Sequence, residues 1–141
     1  MFKHILIAFD GSASSRQALT EALELATALR ARVSLVSVEE SVPQFPGDIG
    51  EVKEEQLRLN EYFARLQREA RDAAKAHGLD FECADNLAGH VTQTILRHAK
   101  DIQCDLIVVG HSGRSGAWAS FLGTTAEKVS RHAHCTVLIV R

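Results

Sequence analysis

The stretch DLIVVGHSGRSGAWASFLGTTAE, running from Asp105 to Glu127, decides how the rest of the chain is read. It opens with the apolar run Leu106-Ile107-Val108-Val109, which has the length and β-branching of a buried strand, and it closes on a helical pattern that starts near Thr124. Four of the nine glycines, Gly110, Gly113, Gly116 and Gly123, fall between the two. Glycine lets backbone N–H groups approach a ligand closely, and a helix N-terminus attracts anions through its unpaired N–H groups and its dipole. A strand, a glycine-rich loop and a helix in that order describe a phosphate cradle.

Outward from this stretch, the same strand-then-helix alternation repeats. Phe2 to Phe9 is a short apolar run that Asp10-Gly11-Ser12 interrupts as a turn. Ser14 and Gln17 have capping-box spacing, and Ala18, Leu19, Ala22, Leu23, Ala26 and Leu29 behind them mark an amphipathic helix. Val33 to Val38 forms a second strand, and the acidic, proline-containing segment from Glu39 to Asp48 reads as a surface loop. A long helix spans Val52 to His77 with Leu59, Phe63, Leu66, Ala70 and Ala73 on one face, and Gly78 suits its end. Leu79 to Asp85 is the third strand, and Val91, Ile95, Leu96 and Ala99 mark the next helix. After the glycine stretch come a helix from Thr124 to His132 and a fifth strand from Cys135 to Val140. Such alternation predicts a single α/β domain: a parallel sheet with helices on both faces and a ligand at the carboxyl ends of the strands. Both Asp10 and the glycine loop fall at those ends.

Composition narrows the partners. The chain has 141 residues, 45% of them apolar, which is enough to build one real core. A formal charge of −2 with no long Lys/Arg block gives no footprint for nucleic acid or an anionic membrane. Cys83, Cys104 and Cys135 make an odd count without CxxC spacing, so the expected setting is a reducing cytoplasm with no disulfide framework. The run Ile5-Leu6-Ile7-Ala8 is too short for a membrane span or a signal peptide.

The glycine stretch lacks the G-x-x-x-x-G-K-[ST] of a Walker A loop, and the first strand-helix turn lacks G-x-G-x-x-G. What it has is Gly110-x-x-Gly113, nine residues, then Gly123-Thr124, a spacing that resembles the ATP-binding signature of the universal stress protein family. The resemblance extends to the opening ILIAFDGS, the strand DLIVVG and the ending Cys135-x-Val137-Leu138-Ile139-Val140-Arg141, so that it covers residues 1–141 as one domain. It implies an open, Rossmann-like five-stranded sheet of order 3-2-1-4-5 that binds ATP, ADP or AMP, with Mg2+ or Mn2+ arriving on the nucleotide. It also implies that Asp10 contacts the adenosine moiety, Val38 lines the adenine pocket, and Gly110, Gly113, Gly123 and Thr124 hold ribose and phosphates. Ala8, Gly11, Ser12, Val109, His111, Arg114 and Thr125, adjoining those positions, complete the expected binding set. A homodimer through Thr136 to Val140 and a role as a stress-linked sensor or regulator, with regulatory protein partners unknown, belong to the same expectation.

The residues also support plainer readings. Thr124 and Glu127 have capping-box spacing, so Thr124 serves either as a helix cap or as a phosphate ligand. Asp10 alone reads equally well as a turn former. An acidic residue ending the first strand also fits a phospho-acceptor receiver with Asp85 as acceptor, although a receiver has no use for the glycine loop. His132-Ala133-His134-Cys135 contains good zinc ligands but matches no standard zinc spacing, and His134 and Thr136 stand where the family typically has proline. No general base or Walker-type lysine stands near the expected phosphates, so ATP hydrolysis is expected to be slow at most. A protein-interaction module of the same fold that needs no nucleotide is the alternative.

Overall fold

The computed structural model describes residues 1–40, 49–112 and 122–141. In chain order it contains β1 (His4–Ala8), α1 (Ala13–Leu29), β2 (Arg32–Glu39), α2 (Ile49–Ala76), β3 (Phe81–Ala88), α3 (Val91–Asp101), β4 (Leu106–Gly110), α4 (Thr124–His132) and β5 (Thr136–Val140). The five strands form one sheet in the order β3-β2-β1-β4-β5. Every pairing is parallel, with Ile5 opposite both Val33 and Leu106, and Leu106 opposite Thr136.

Period-two alternation in the strands divides the core in two. Ile5, Ile7, Val33, Leu35, Leu106 and Val108 face the layer formed by α1 and α2, which contributes Leu19, Leu23, Phe63 and Leu66. Leu6, Val36, Ile107 and Val109 face the layer of α3 and α4, which contributes Ile95, Ala99, Ala126 and Val129. Strands covered on both faces must be apolar at successive positions, which is why the runs at Ile5–Ile7 and Leu106–Val109 are continuous rather than alternating. Each fully buried branched side chain among them contributes about 1.5–3 kcal/mol.

Several element ends differ from the sequence expectation, each for a local reason. The N-cap of α1 is Ser12, whose side chain accepts from the Ser15 amide at 3.1 Å, whereas the capping-box spacing points to Ser14. Ser14 is instead occupied at long range, its Oγ accepting from the Ser112 amide at 3.1 Å. β3 runs on to Ala88 through the polar Asp85 and Asn86, because an edge strand pairs on one side only and β2 supplies partners as far as Glu39 opposite Ala88. Arg30 ends α1 in the left-handed region at φ 56°, its amide donating to the carbonyls of Ala26 and Thr27. Gly78, at φ +72°, ends the turn after α2 as glycine should.

The sheet order also removes the receiver reading. Receiver-type folds use the order 2-1-3-4-5, which sets strand three beside strand one. Here β2 separates them, and Asp85 lies within β3, its carboxylate 3.5 Å from His98 on α3. Asp10 and Asp85 therefore cannot form one acidic pocket.

Candidate functional site

At the carboxyl ends of β1, β2 and β4 the sheet opens into a cleft of about 490 Å³. Parallel strands place their carboxyl ends together, and the order reversal at β1 leaves a crevice between the connection to α1 and the connection from β4. Ala8, Asp10 and Ser12 line it from β1 and the following turn, Val38 from β2, and Val109, Gly110 and His111 from β4. Gly123, Thr124 and Thr125 close the opposite wall. All of these belong to the binding set expected from the sequence. Gly11 is not among the lining residues: at φ +81° it turns the chain beneath α2, where a Cβ would stand 2.6 Å from Leu66 Cδ2. Gly113, Arg114, Trp118 and Phe121 lie outside the described residues.

The β1 turn is held from several sides. Asp10 Oδ1 accepts from the Ser12 amide at 2.9 Å, forming a side-chain turn, and the Asp10 carbonyl accepts from Tyr62 Oη at 2.7 Å. Ser37 Oγ donates to the Phe9 carbonyl at 2.6 Å. Arg16 donates to the Gly11 carbonyl and pairs with Glu69 at 2.5 Å. That hydrogen bond from Arg16 holds the Glu69 carboxyl below the usual carboxylate range. Both side chains are about half exposed, so the pair fixes geometry more than it adds stability. Asp10 is thus a turn former in this structure, and the same bond orients its carboxylate at the cleft.

On the β4 side, Gly110 is dictated by packing. A Cβ there would stand 2.5 Å from Ser14 Oγ and 2.7 and 2.8 Å from the Ser14 carbonyl carbon and oxygen, so α1 sits directly against the strand end. His111 bridges two elements: its amide donates to the Val140 carbonyl at 2.7 Å, and its carbonyl accepts from the Gly123 amide at 2.7 Å. This second bond draws the start of α4 to the end of β4. Gly123, not Thr124, is the N-cap of α4, in ordinary extended geometry at φ −63° and ψ 151°. Glycine has no side chain with which to cap, and Glu127 turns to Arg131 at 2.8 Å instead of reaching back. Among the described residues no side chain caps the first turn of α4, which lines the cleft through Thr124, Thr125 and Ala126, and the leading amides of a helix have no partner within it.

Glu39 and Glu40, at the end of β2, line the same cleft and are not in the expected set. In the sequence they belong to a surface loop, and nothing in an acidic segment after a strand distinguishes a lining residue from a solvated one. Leu59 and Phe63 of α2 supply an apolar wall that the helical pattern identifies only as core. Among the described residues the lining includes the carboxylates of Asp10, Glu39 and Glu40, the imidazole of His111, and no lysine or arginine.

With this geometry established, comparison with known proteins settles the family. The model of the universal stress protein family matches residues 1–141. The chain belongs to the universal stress protein family. It is similar to a universal stress protein of Thermus aquaticus at 36% identity, the match covering the whole of both chains. Among solved structures it is similar to the universal stress protein UspA of Lactobacillus plantarum, with a TM-score of 0.85 and 25% identity over 99% of this chain and 98% of that one. A universal stress protein crystallised in complex with cAMP is also similar, with a TM-score of 0.72 and 27% identity over 99% and 97%. Among the described residues no helix is long and apolar enough to cross a membrane.

Proposed function

We propose that this universal stress protein binds an adenine nucleotide, ATP or a relative of it, in the cleft at the carboxyl ends of β1, β2 and β4, and acts as a nucleotide-dependent regulator. The carrying observation is the convergence in one cleft of Asp10, Val38, Gly110 and the uncapped start of α4 at Gly123, Thr124 and Thr125. A volume of about 490 Å³ is in the range of small-molecule sites, roughly 300–1,000 Å³. Complex formation with cAMP by a similar universal stress protein supports the same ligand class.

In this reading the base lies against Ala8, Val36 and Val38, the ribose hydroxyls meet the Asp10 carboxylate, and the phosphates meet the α4 amides, with Gly113 and Arg114 assisting. Asp10, Glu39 and Glu40 make the described wall acidic, so a triphosphate enters as its Mg2+ or Mn2+ complex, the metal offsetting phosphate charge that this wall does not neutralise. Slow hydrolysis, well below roughly 1 per second, belongs to the same proposal, since the sequence offers no general base or Walker-type lysine near the expected phosphates. In the same proposal the protein works as a homodimer paired through β5, the exposed sheet edge on which Leu138 is 38% exposed.

Native mass spectrometry of the purified protein, followed by calorimetry with ATP, ADP, AMP and cAMP with and without Mg2+, tests the proposal. Saturable binding of an adenine nucleotide supports it. No bound nucleotide and no heat with any of the four would favour an interaction module that uses the fold without a ligand.

A further inference from the structure

At the amino ends of the strands, opposite the cleft, β4 and β5 bring Cys104 together with His134 and Cys135, which lie far from it in sequence. Cys104 precedes β4, while His134 and Cys135 precede β5, and parallel pairing of Leu106 with Thr136 sets the amino ends of the two strands side by side. A metal-ligating atom from each of Cys104, His134 and Cys135 lies within 4.8 Å of the other two. We propose that these three side chains form a binding site for a thiophilic divalent cation, with Zn2+ as the reference ion.

The donor chemistry fits. Two thiolates and one imidazole are the ligand set of open, three-residue zinc sites, which leave the fourth position to water. At Zn–S of about 2.3 Å and Zn–N of about 2.0–2.1 Å, tetrahedral ligand atoms stand roughly 3.5–3.8 Å apart, so no separation in the present cluster has to shorten by more than about 1.3 Å. His134 carries a second mark of such a site. Its Nε2 lies 3.2 Å from the Cys104 carbonyl oxygen, and a proton donated there leaves Nδ1 as the lone-pair nitrogen. Metal-bound histidines are commonly oriented by this kind of bond from the other ring nitrogen. Access is graded: Cys104 is buried, Cys135 partly so, and His134 is exposed.

The two thiols border the core layer of α3 and α4, Cys104 within it and Cys135 packed against it. Both lie away from the residues lining the cleft. Burial and the facing Cys135 push the Cys104 thiol up to about 12, and burial raises Cys135 as well, so neither is a reactive surface thiolate. A cation that displaces the two thiol protons removes that penalty. The His132-Ala133-His134-Cys135 run looks unlike a zinc motif because its missing ligand, Cys104, arrives by strand pairing. Bound metal would tie the α3–β4 turn to the α4–β5 turn and hold the edge strand in register.

A second cluster sets the control. Cys83 Sγ and Asp85 Oδ2 lie 3.9 and 3.5 Å from His98 Nε2, across β3 and α3. The test uses chelator-stripped full-length protein kept reduced with a phosphine and titrated with Co2+ and then with Zn2+. The expected result is one Co2+ per chain with thiolate-to-cobalt charge-transfer absorption, displaced by Zn2+. Zinc at about 100 times its Kd should raise Tm by roughly 5–10 °C. It should slow alkylation of the partly buried Cys135, but not of the partly buried Cys83, read by peptide mass. Cys135→Ser and the exposed substitution His134→Ala should each weaken cobalt binding at least roughly tenfold while Tm without metal changes little. Cys83→Ser should leave binding intact. Absence of the charge-transfer band, unchanged binding in both Cys135→Ser and His134→Ala, or loss of binding in Cys83→Ser would overturn the assignment. None of these readouts involves nucleotide.

Discussion

Replacing Gly110 with alanine isolates the contact that sets the floor of the cleft. Gly110 has no left-handed backbone to protect, so the substitution tests space alone. The added Cβ would meet Ser14 Oγ at 2.5 Å and the Ser14 carbonyl carbon and oxygen at 2.7 and 2.8 Å, well inside ordinary contact. Two of these three atoms are backbone in the first turn of α1, and that turn is anchored by the Ser12 cap and the Ser112 bond. Relief therefore requires the helix to move, and overpacking of this kind costs about 1–3 kcal/mol. With an unfolding entropy of about 2.1 cal/mol/K per residue over 141 residues, that is a fall in Tm of about 3–10 °C. Scanning calorimetry of Gly110→Ala measures it directly. Adding Ser14→Ala should not restore stability, since it removes the hydroxyl but leaves the carbonyl in place. A Tm unchanged to within about 1 °C, or full rescue by Ser14→Ala, would refute the reasoning that the helix backbone dictates glycine here.

Other perturbations separate the remaining claims. Burial and the neighbouring Arg32 lower the pKa of His4, which is 4% exposed and holds Ser34 Oγ at 2.7 Å. A depressed histidine favours the neutral form in the fold, so its stabilisation is complete above about pH 6.5 and is lost as pH falls from there through the folded pKa. Urea midpoints of wild type and His4→Gln should therefore converge on acidification over that window, and parallel curves would contradict it. Gly123→Val should keep a cooperative fold, because φ −63° and ψ 151° suit any residue, yet abolish nucleotide affinity by obstructing the α4 amides; unchanged calorimetric affinity would remove the cradle assignment. Leu138→Lys should convert a dimer to a monomer by sedimentation with Tm of the monomer nearly unchanged, since an exposed edge position tolerates charge; a persistent dimer would place the interface elsewhere.

What the sequence discloses, and what it withholds, follows from the range of each interaction. The sheet is legible because strands covered on both faces must be apolar throughout, as at Leu106–Val109, and because each is followed by a helix of clear period. The order around β1 comes through family resemblance, and the structure bears it out. Helix caps are legible only as candidates. Ser12-Ala13-Ser14-Ser15 offers three hydroxyls, of which Ser12 caps the helix while Ser14 accepts from the Ser112 amide, 98 residues away. Thr124 loses the cap to Gly123 because the His111 carbonyl holds the Gly123 amide and Glu127 prefers Arg131. The acidic wall at Glu39 and Glu40 is not readable because exposure after a strand end leaves no pattern. The triad of Cys104, His134 and Cys135 is not readable because only β4–β5 pairing unites it.

The central claim is nucleotide binding at the β1–β4 crevice, and titration calorimetry with ATP and Mg2+ on wild-type protein and Gly123→Val tests it most directly. The account predicts saturable binding at one site per chain for wild type, weakened when Mg2+ is withheld, and no binding by the folded variant. No measurable heat from wild-type protein at about 1 mM nucleotide, an affinity weaker than about −4.1 kcal/mol, would contradict it.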